Sequence, residues 1–329
     1  MSAIQELEIP PKQLGIYNDR FGFLSCYNHH LAPIIICTSS SQNKAIEENL
    51  KTNNLSLLET ENPLPEIPNK MDHVLLKIPK SLSEFRLYLD HIAHNSTENL
   101  TVICAFMTRH FSPKMLKISE EYFEEVEQSK AVKKARLITL RKKKAIPKIE
   151  PIKSIDYKTS NYKQYWGVFS GDHIDYATQY FLEQINLDGP YKSVLDVGSG
   201  NGIIANEIYK RNPDAEIHLL DDSYLAIASS KLNIQGDNVH HHCDNNLSIF
   251  KDQQFDLIVS NPPFHFEHEI NIQIAINLFK ECQRCLKGGG SFQLVANKHL
   301  NYKTHLQRIF STVEIVSENE KFVVYKCLH

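Results

Sequence analysis

The sequence predicts a two-domain α/β protein whose second domain is a doubly wound sheet of seven strands. Three observations carry that expectation. Apolar runs of strand length alternate with amphipathic, helix-length stretches along the 329-residue chain. A glycine-rich strand-to-helix turn occurs only in the second half. The chain is long for one domain, and Pro147 and Pro151 bracket a boundary near residue 155, which gives domains 1–155 and 156–329.

In the first half, Ala32–Cys37, His73–Ile78 and Leu100–Phe106 read as strands, and Leu82–Ala93 reads as an amphipathic helix. Only Gly15 and Gly22 precede residue 167, so this half has no evident nucleotide cradle. Ser119–Glu127 is an acidic helix candidate. Ser129–Lys148 then holds nine basic side chains and no acidic one among 20 residues. It reads either as a solvated strand edge and linker or as a phosphate-contacting strip made of Lys133, Lys134, Arg136, Arg141, Lys142, Lys143 and Lys144.

In the second half, Asp172–Ile185 reads as a helix, Ser193–Val197 as a strand and Ile203–Lys210 as a helix. Glu216–Asp222, Tyr224–Asn233 and Val239–Cys243 continue as strand, helix and strand. Phe255–Ser260 is a buried strand, stopped by Pro262 and Pro263, which remove two backbone donors and fix two φ angles. A helix over Asn271–Leu286 follows, Gly288-Gly-Gly290 caps it and turns the chain, and Ser291–Ala296 is the next strand. Glu314–Val316 and Phe322–Cys327 close the sheet as an antiparallel pair, and no short-period repeat is present.

Composition describes an ordinary soluble globular protein, 42% hydrophobic and 23% charged. No apolar run reaches the roughly 20 residues a membrane span needs, and the N-terminus lacks the pattern of a signal peptide. Seven scattered cysteines indicate reduced thiols in a cytoplasm. The protein is separately expected to act as a monomer. A net charge of −3 excludes a generally basic nucleic-acid binder, so attraction to phosphate must be local.

The chemistry gathers at strand ends of the second half. In Asp196-Val-Gly198-Ser-Gly200-Asn-Gly202, three alternate glycines let the backbone turn tightly and approach a ligand, and the helix that follows favours a negative group. Asp221 and Asp222 end the next strand, where a carboxylate can accept ribose hydroxyls. Asp244, beside Asn245, ends the strand after that, in reach of an adenine amino group. Taken singly, Asp222 also reads as a helix cap and Asp244 as a turn opener. At Asn261-Pro262-Pro263-Phe264 an amide oxygen and an unpaired carbonyl make two acceptors for a planar amino group, with an aromatic surface to stack on. Tyr162, Tyr165 and Trp166 are candidates to cover this corner, with a core reading beside it. His240-His-His242-Cys243 is not expected to hold a metal, because neighbours on a strand point to opposite faces. Cys282 and Cys285 are expected to be inert helix thiols.

These motifs resemble those of class I S-adenosylmethionine-dependent methyltransferases acting on amino groups. They are closer still to the bacterial ribosomal RNA guanine-N2 methyltransferases, a pair of enzyme types lettered C for the small ribosomal subunit and G for the large one. Gly167-Val-Phe-Ser170, Ser260-Asn-Pro-Pro-Phe-His265 and Val295-Ala-Asn297 carry the likeness, while Ser229–Asn233, Lys133–Ile138 and Lys321–Val324 look more like the large-subunit type. The likeness is weaker in the first half, through Phe21–Cys26 and Lys77–Lys80. It implies a Rossmann-like catalytic domain preceded by a degenerate methyltransferase-like domain that assists RNA binding. It implies S-adenosylmethionine as methyl donor, with Asp196, Gly198, Gly200, Gly202, Asp221, Asp222, Asp244 and Asn245 as its site. Asn261, Pro262 and Phe264 would direct the methyl group to N2 of a guanine in 23S ribosomal RNA. A 16S guanine, a protein glutamine and a non-catalytic RNA-binding role are the alternatives. Ser199 and Gly171 stand where the family usually has Cys and Arg.

Overall fold

The computed structural model describes residues 11–57, 60, 61, 64, 66, 67, 70–171, 173–186, 189–262 and 272–329. Two compact units divide between Pro151 and Ile152. The first contains strands β1 (Leu14–Tyr17), β2 (Ile34–Ile36), β3 (Thr60–Glu61), β4 (Met71–Lys77), β5 (Ser96–Met107), β6 (Phe123–Gln128) and β7 (Ala135–Lys143). The second opens with a hairpin, β8 (Ile152–Tyr157) and β9 (Ser160–Tyr165). Its sheet comprises β10 (Ser193–Val197), β11 (Glu216–Asp221), β12 (Val239–Cys243), β13 (Phe255–Ser260), β14 (Leu286–Asn297), β15 (Thr312–Glu318) and β16 (Phe322–Leu328).

The two sheets repeat one topology. The first runs β3-β2-β1-β4-β5-β7-β6 and the second β12-β11-β10-β13-β14-β16-β15. In each, five strands are parallel and the last pair runs antiparallel. The duplication extends to the turn after the first strand. Gly22 and Gly202 each sit at a helix N-cap in the left-handed region, with φ of 72° and 81°. A buried carboxylate accepts the N–H three residues further on, Asp19 from Ser25 and Asp196 from Ala205. The first unit fills the turn between β1 and Gly22 with Asn18, Asp19, Arg20 and Phe21 rather than glycines. After β4 it has Ile78, where the second unit has Asn261 after β13. One unit therefore keeps the sheet and lacks both the cradle and the amide.

Both faces of the second sheet are covered, which is why its central strands read as continuous apolar runs. Val194, Leu257 and Val259 enter one core with Phe181, Ile204 and Ile208. Leu195, Ile258 and Phe292 enter the other with Phe279, Leu286 and Tyr302. Each such side chain contributes about 1.5–3 kcal/mol on burial.

Several local expectations need correction. The acidic stretch is not one helix: Pro113–Tyr122 is helical, opened by Ser112 as cap, and Phe123 turns straight into β6. Pairing with β7 outweighs the helix propensity of the glutamates there. Gly288–Gly290 lies inside β14 rather than in a separate turn. The register passes from Phe255–Leu286 to Leu257–Ser291, so the glycines form a bulge, with Gly289 at φ 81°. The helix expected from Asp172 begins at Tyr176, capped by Asp175.

Candidate active site

The turn after β10 has three residues at positive φ, Gly198 at 72°, Gly200 at 54° and Gly202 at 81°. Side chains rarely accept that region, so only glycine makes the turn without strain. Gly202 also packs closely, since a Cβ there would meet Ser230 Cβ at 3.0 Å and Leu219 Cδ2 at 3.1 Å. The turn is braced from β11: Asp221 Oδ2 accepts the Gly200 N–H at 2.9 Å and Oδ1 the Ser223 N–H at 2.8 Å. Burial first, then the charge of Asp222, pushes the Asp221 carboxyl up to about 6 against those two bonds. Asp196 is fully buried. Its Oδ2 accepts the Ala205 N–H at 3.1 Å, while its Oδ1 and the nearby Ser199 Oγ have no partner. Burial pushes its carboxyl up to about 7.

Beside the turn is a cavity of about 340 Å³, lined by Gly198, Asp221, Asp222, Asp244, Asn245 and Pro262 among others. Asp196, Gly200, Gly202 and Asn261 stand behind or beside this wall rather than in it. Sequence reasoning missed the cavity's apolar half, Leu247, Ile274, Leu278 and Tyr302. For Ile274 and Leu278 the signal was their i, i+4 spacing along the helix Ile272–Cys285, whereas Leu247 and Tyr302 lie off that helix.

At the end of β13, Asn261 Nδ2 donates to Asp175 Oδ2 at 2.9 Å and to Thr178 Oγ1 at 2.8 Å. The same Asp175 oxygen caps the helix Tyr176–Gln184, accepting the N–H groups of Ala177 at 3.0 Å and Thr178 at 3.2 Å. A carboxylate can only accept, so the amide must face it with its NH₂ and turn its oxygen away. Asp175 and Thr178 were not found from the sequence. Their signal was a cap residue at the start of a helix, which by itself predicts only a helix start. Pro263, Phe264 and His265 lie outside the described residues.

Similarity to known proteins agrees over the full length. A family model described as "Methyltransferase small domain" matches residues 160–326, and one described as "RLMG N-terminal domain" matches residues 1–144. The chain is 33% identical to "Ribosomal RNA large subunit methyltransferase G" of Psychromonas ingrahamii, over 96% of this chain and 86% of that one. With the protein of the same description from Pseudoalteromonas translucida it shares 31% identity, over 95% and 85%. The chain belongs to the large-subunit ribosomal RNA methyltransferase G family. Its fold matches a solved T. thermophilus 16S rRNA N2 methyltransferase in complex with AdoMet and guanosine, with a TM-score of 0.81 and 19% identity over 99% and 91% of the two chains.

In this member of the G family, the hairpin β8–β9 is tied to the glycine turn. Asn233 Nδ2 donates to the carbonyls of Lys163 and Asn201, and Asn201 Nδ2 donates to Gln164 Oε1 at 2.9 Å. Tyr162 is a core residue that donates to Glu207, not a cover for the site. Trp166, half-buried, has the Lys153 ammonium 4.9 Å over its ring.

The basic stretch of this G-family chain divides in two. β7 lies between β5 and β6, so it is not a sheet edge. Arg141 pairs with Glu127 at 3.3 Å, Lys142 with Glu125 at 2.6 Å and Lys143 with Glu98 at 3.3 Å. Lys144 Nζ donates to the Glu120 carbonyl, and Arg136 is half-buried. Lys133 and Lys134 are exposed in the turn that leads into β7. All seven cysteines are free. Burial pushes Cys285 up to about 11 and Cys282 well above its ordinary value, which keeps both as thiols.

Because Asp175 orients the amide without lining the cavity, Asp175→Ser should keep the helix cap and lose the grip on Asn261. The expected result is a kcat lower by about 10–100-fold, a cofactor Kd within about twofold of wild type and a nearly unchanged unfolding midpoint. Parallel steady-state kinetics and calorimetry measure all three.

Proposed function

We propose that this protein, acting as a cytoplasmic monomer, transfers a methyl group from S-adenosylmethionine to the exocyclic N2 of a guanine in large-subunit (23S) ribosomal RNA. Family membership supports methyl transfer to that RNA. The observation that carries the choice of an amino nitrogen is the orientation of Asn261, whose amide spends its hydrogens on Asp175 and Thr178 and so turns its oxygen away from both.

Guanine N2 is a poor nucleophile because its lone pair is delocalised into the ring. The Asn261 oxygen and the Pro262 carbonyl together accept its two hydrogens, aim the lone pair and stabilise the positive charge that develops on nitrogen. Positioning of this kind can lower a barrier by up to about 7–11 kcal/mol. The methylated nitrogen is cationic and sheds its proton readily, so no dedicated strong base is required. Phe264 would supply the stacking surface by its residue type. The base must be unpaired or turned out of its stack, because N2 within a duplex cannot reach a strand end.

S-adenosylmethionine supplies the methyl group as a sulfonium electrophile. The residues present fit it. Asp196 Oδ1 is a buried acceptor awaiting a donor, and the ammonium of an amino acid is one. Asp221 braces the turn, while Asp222, Asp244 and Asn245 line the cavity, where Asp222 would meet the ribose hydroxyls and Asp244 with Asn245 the adenine edge. Leu247 and Leu278 give the base apolar walls. Glycine backbone at residues 198–202 admits the amino-acid end. Lys133 and Lys134, exposed in the turn before β7, would be available to RNA phosphate.

Incubation with labelled S-adenosylmethionine and protein-free large- or small-subunit RNA tests the reading. The expected product is N2-methylguanine in large-subunit RNA alone. Label confined to small-subunit RNA, or absent from both, would overturn it. The pH dependence of cofactor binding tests Asp196. Its folded pKa near 7 lies above the unfolded value of 3.8, so the stability gained from its proton is present below about 4 and lost as pH rises through 7. Pairing with an ammonium needs the ionised form. Cofactor affinity should therefore rise up to about tenfold per pH unit below 7 and level off above. In Asp196→Asn the rise through pH 7 should disappear and binding be weaker throughout, leaving only the lower-lying titration of Asp221 near 6, as calorimetry across pH 5.5–8.5 would record (an experimental window of roughly three units).

A further inference from the structure

One chemically distinctive cluster on the second sheet plays no part in methyl transfer. His240 and His242 are two apart on β12 and share a face. The register pairs His240 with His218 of β11, and Glu216 lies two residues before His218 on that same face. His241 turns the other way, held by Ser230 Oγ at 2.9 Å and the Ile234 carbonyl at 3.2 Å. Strand alternation does keep His240 and His241 apart. It says nothing about donors from the neighbouring strand, which only the register reveals.

The geometry is that of a donor nest. One donor atom each from Glu216, His218 and His240 lies within 4.8 Å of the others. His240 Nε2 is 2.7 Å from Glu216 Oε2, and the rings of His218 and His240 are 4.7 Å apart. His242 stacks on His218 with an interplanar angle of 8°, its Nε2 3.0 Å from His218 Nδ1. Phe250 and Phe255 meet the His218 ring edge-on at 5.7 and 5.3 Å.

We propose that Glu216, His218 and His240 bind a divalent transition metal of the zinc class, with His242 orienting the His218 ring. Two imidazoles and one carboxylate suit a four-coordinate ion with water in the remaining position. Imidazole donors disfavour magnesium and calcium, which take oxygen. Donor atoms about 2.1 Å from a tetrahedral ion lie about 3.4 Å from one another. Binding therefore opens the Glu216–His240 pair from 2.7 Å and draws in donors that stand as much as 4.8 Å apart, through side-chain rotation of the exposed Glu216 and the half-exposed His240. The ion would cross-link β11 to the edge strand β12. Those strands end in Asp221 and Cys243, and the residues that follow, Asp222 and Asp244, wall the cavity. The donors sit at the start of these strands and the cavity at their far ends, so the ion would brace the sheet that carries the pocket without taking part in transfer.

The test uses the full chain, stripped with a chelator, dialysed and titrated with Co²⁺ and then with Zn²⁺ in competition. The expected result is about one equivalent bound with the visible bands of tetrahedral Co²⁺, displaced by Zn²⁺, and a raised unfolding midpoint. His240→Ala and Glu216→Gln, both at solvent-accessible positions that should not disturb the core, should each weaken binding more than about 100-fold. Their circular dichroism and metal-free methyl transfer should stay at wild-type levels. No binding, a weak octahedral spectrum, or affinity unchanged in both variants (which would move the ion to thiols elsewhere) would overturn the proposal.

Discussion

The second unit depends on a backbone constraint at the end of β10, where three positions take positive φ within five residues. That turn lets the chain leave the sheet and re-enter as a helix without a side chain standing over the strand ends. Asp221 reaches from the next strand to hold it, and Asn233 and Asn201 fasten the preceding hairpin to it. The acids at the ends of β11 and β12 and the amide at the end of β13 then share one carboxyl edge, which is where parallel α/β sheets present ligands. Loss of the turn would leave the sheet with its core and without its site.

The first unit is a natural control for that statement. It has the same strand order, the same left-handed glycine at a helix start and a matching buried carboxylate. It also has an apolar residue, Ile78, in place of the amide and no alternation of glycines after β1. The sheet therefore folds without the site, and the site residues are extra to folding. Asp196 illustrates the tension: a buried carboxylate pushed up to about 7, with one oxygen unpartnered, gives up stability as pH rises from about 4 through 7.

The fold was legible because parallel strands buried on both faces announce themselves as short apolar runs, as Phe255–Ser260 does. The antiparallel closing pair was equally plain. Elements set by pairing were harder. β6 is written in glutamates and is a strand because β7 lies beside it, and Gly288–Gly290 is a bulge because β14 must keep step with β13. At the site, residue type and position located the glycine turn, the strand-end acids and Asn261. Contacts between distant segments were not legible. Nothing along the chain says that Asp175, 86 residues earlier, orients Asn261, or that Asp221 is occupied by Gly200. The same limit hid the ion pairs that neutralise Arg141 and Lys142, and the histidine face shared by two strands.

The central claim is that the Asn261 oxygen acts on the reacting nitrogen and not on folding or on the cofactor. Single-turnover methyl transfer by Asn261→Ala, with cofactor affinity and unfolding midpoint taken on the same preparation, tests it most directly. A rate lower by about 10²–10³-fold with both other quantities near wild type is the predicted result. A rate within a few-fold of wild type, or a loss explained by weaker cofactor binding, would contradict it.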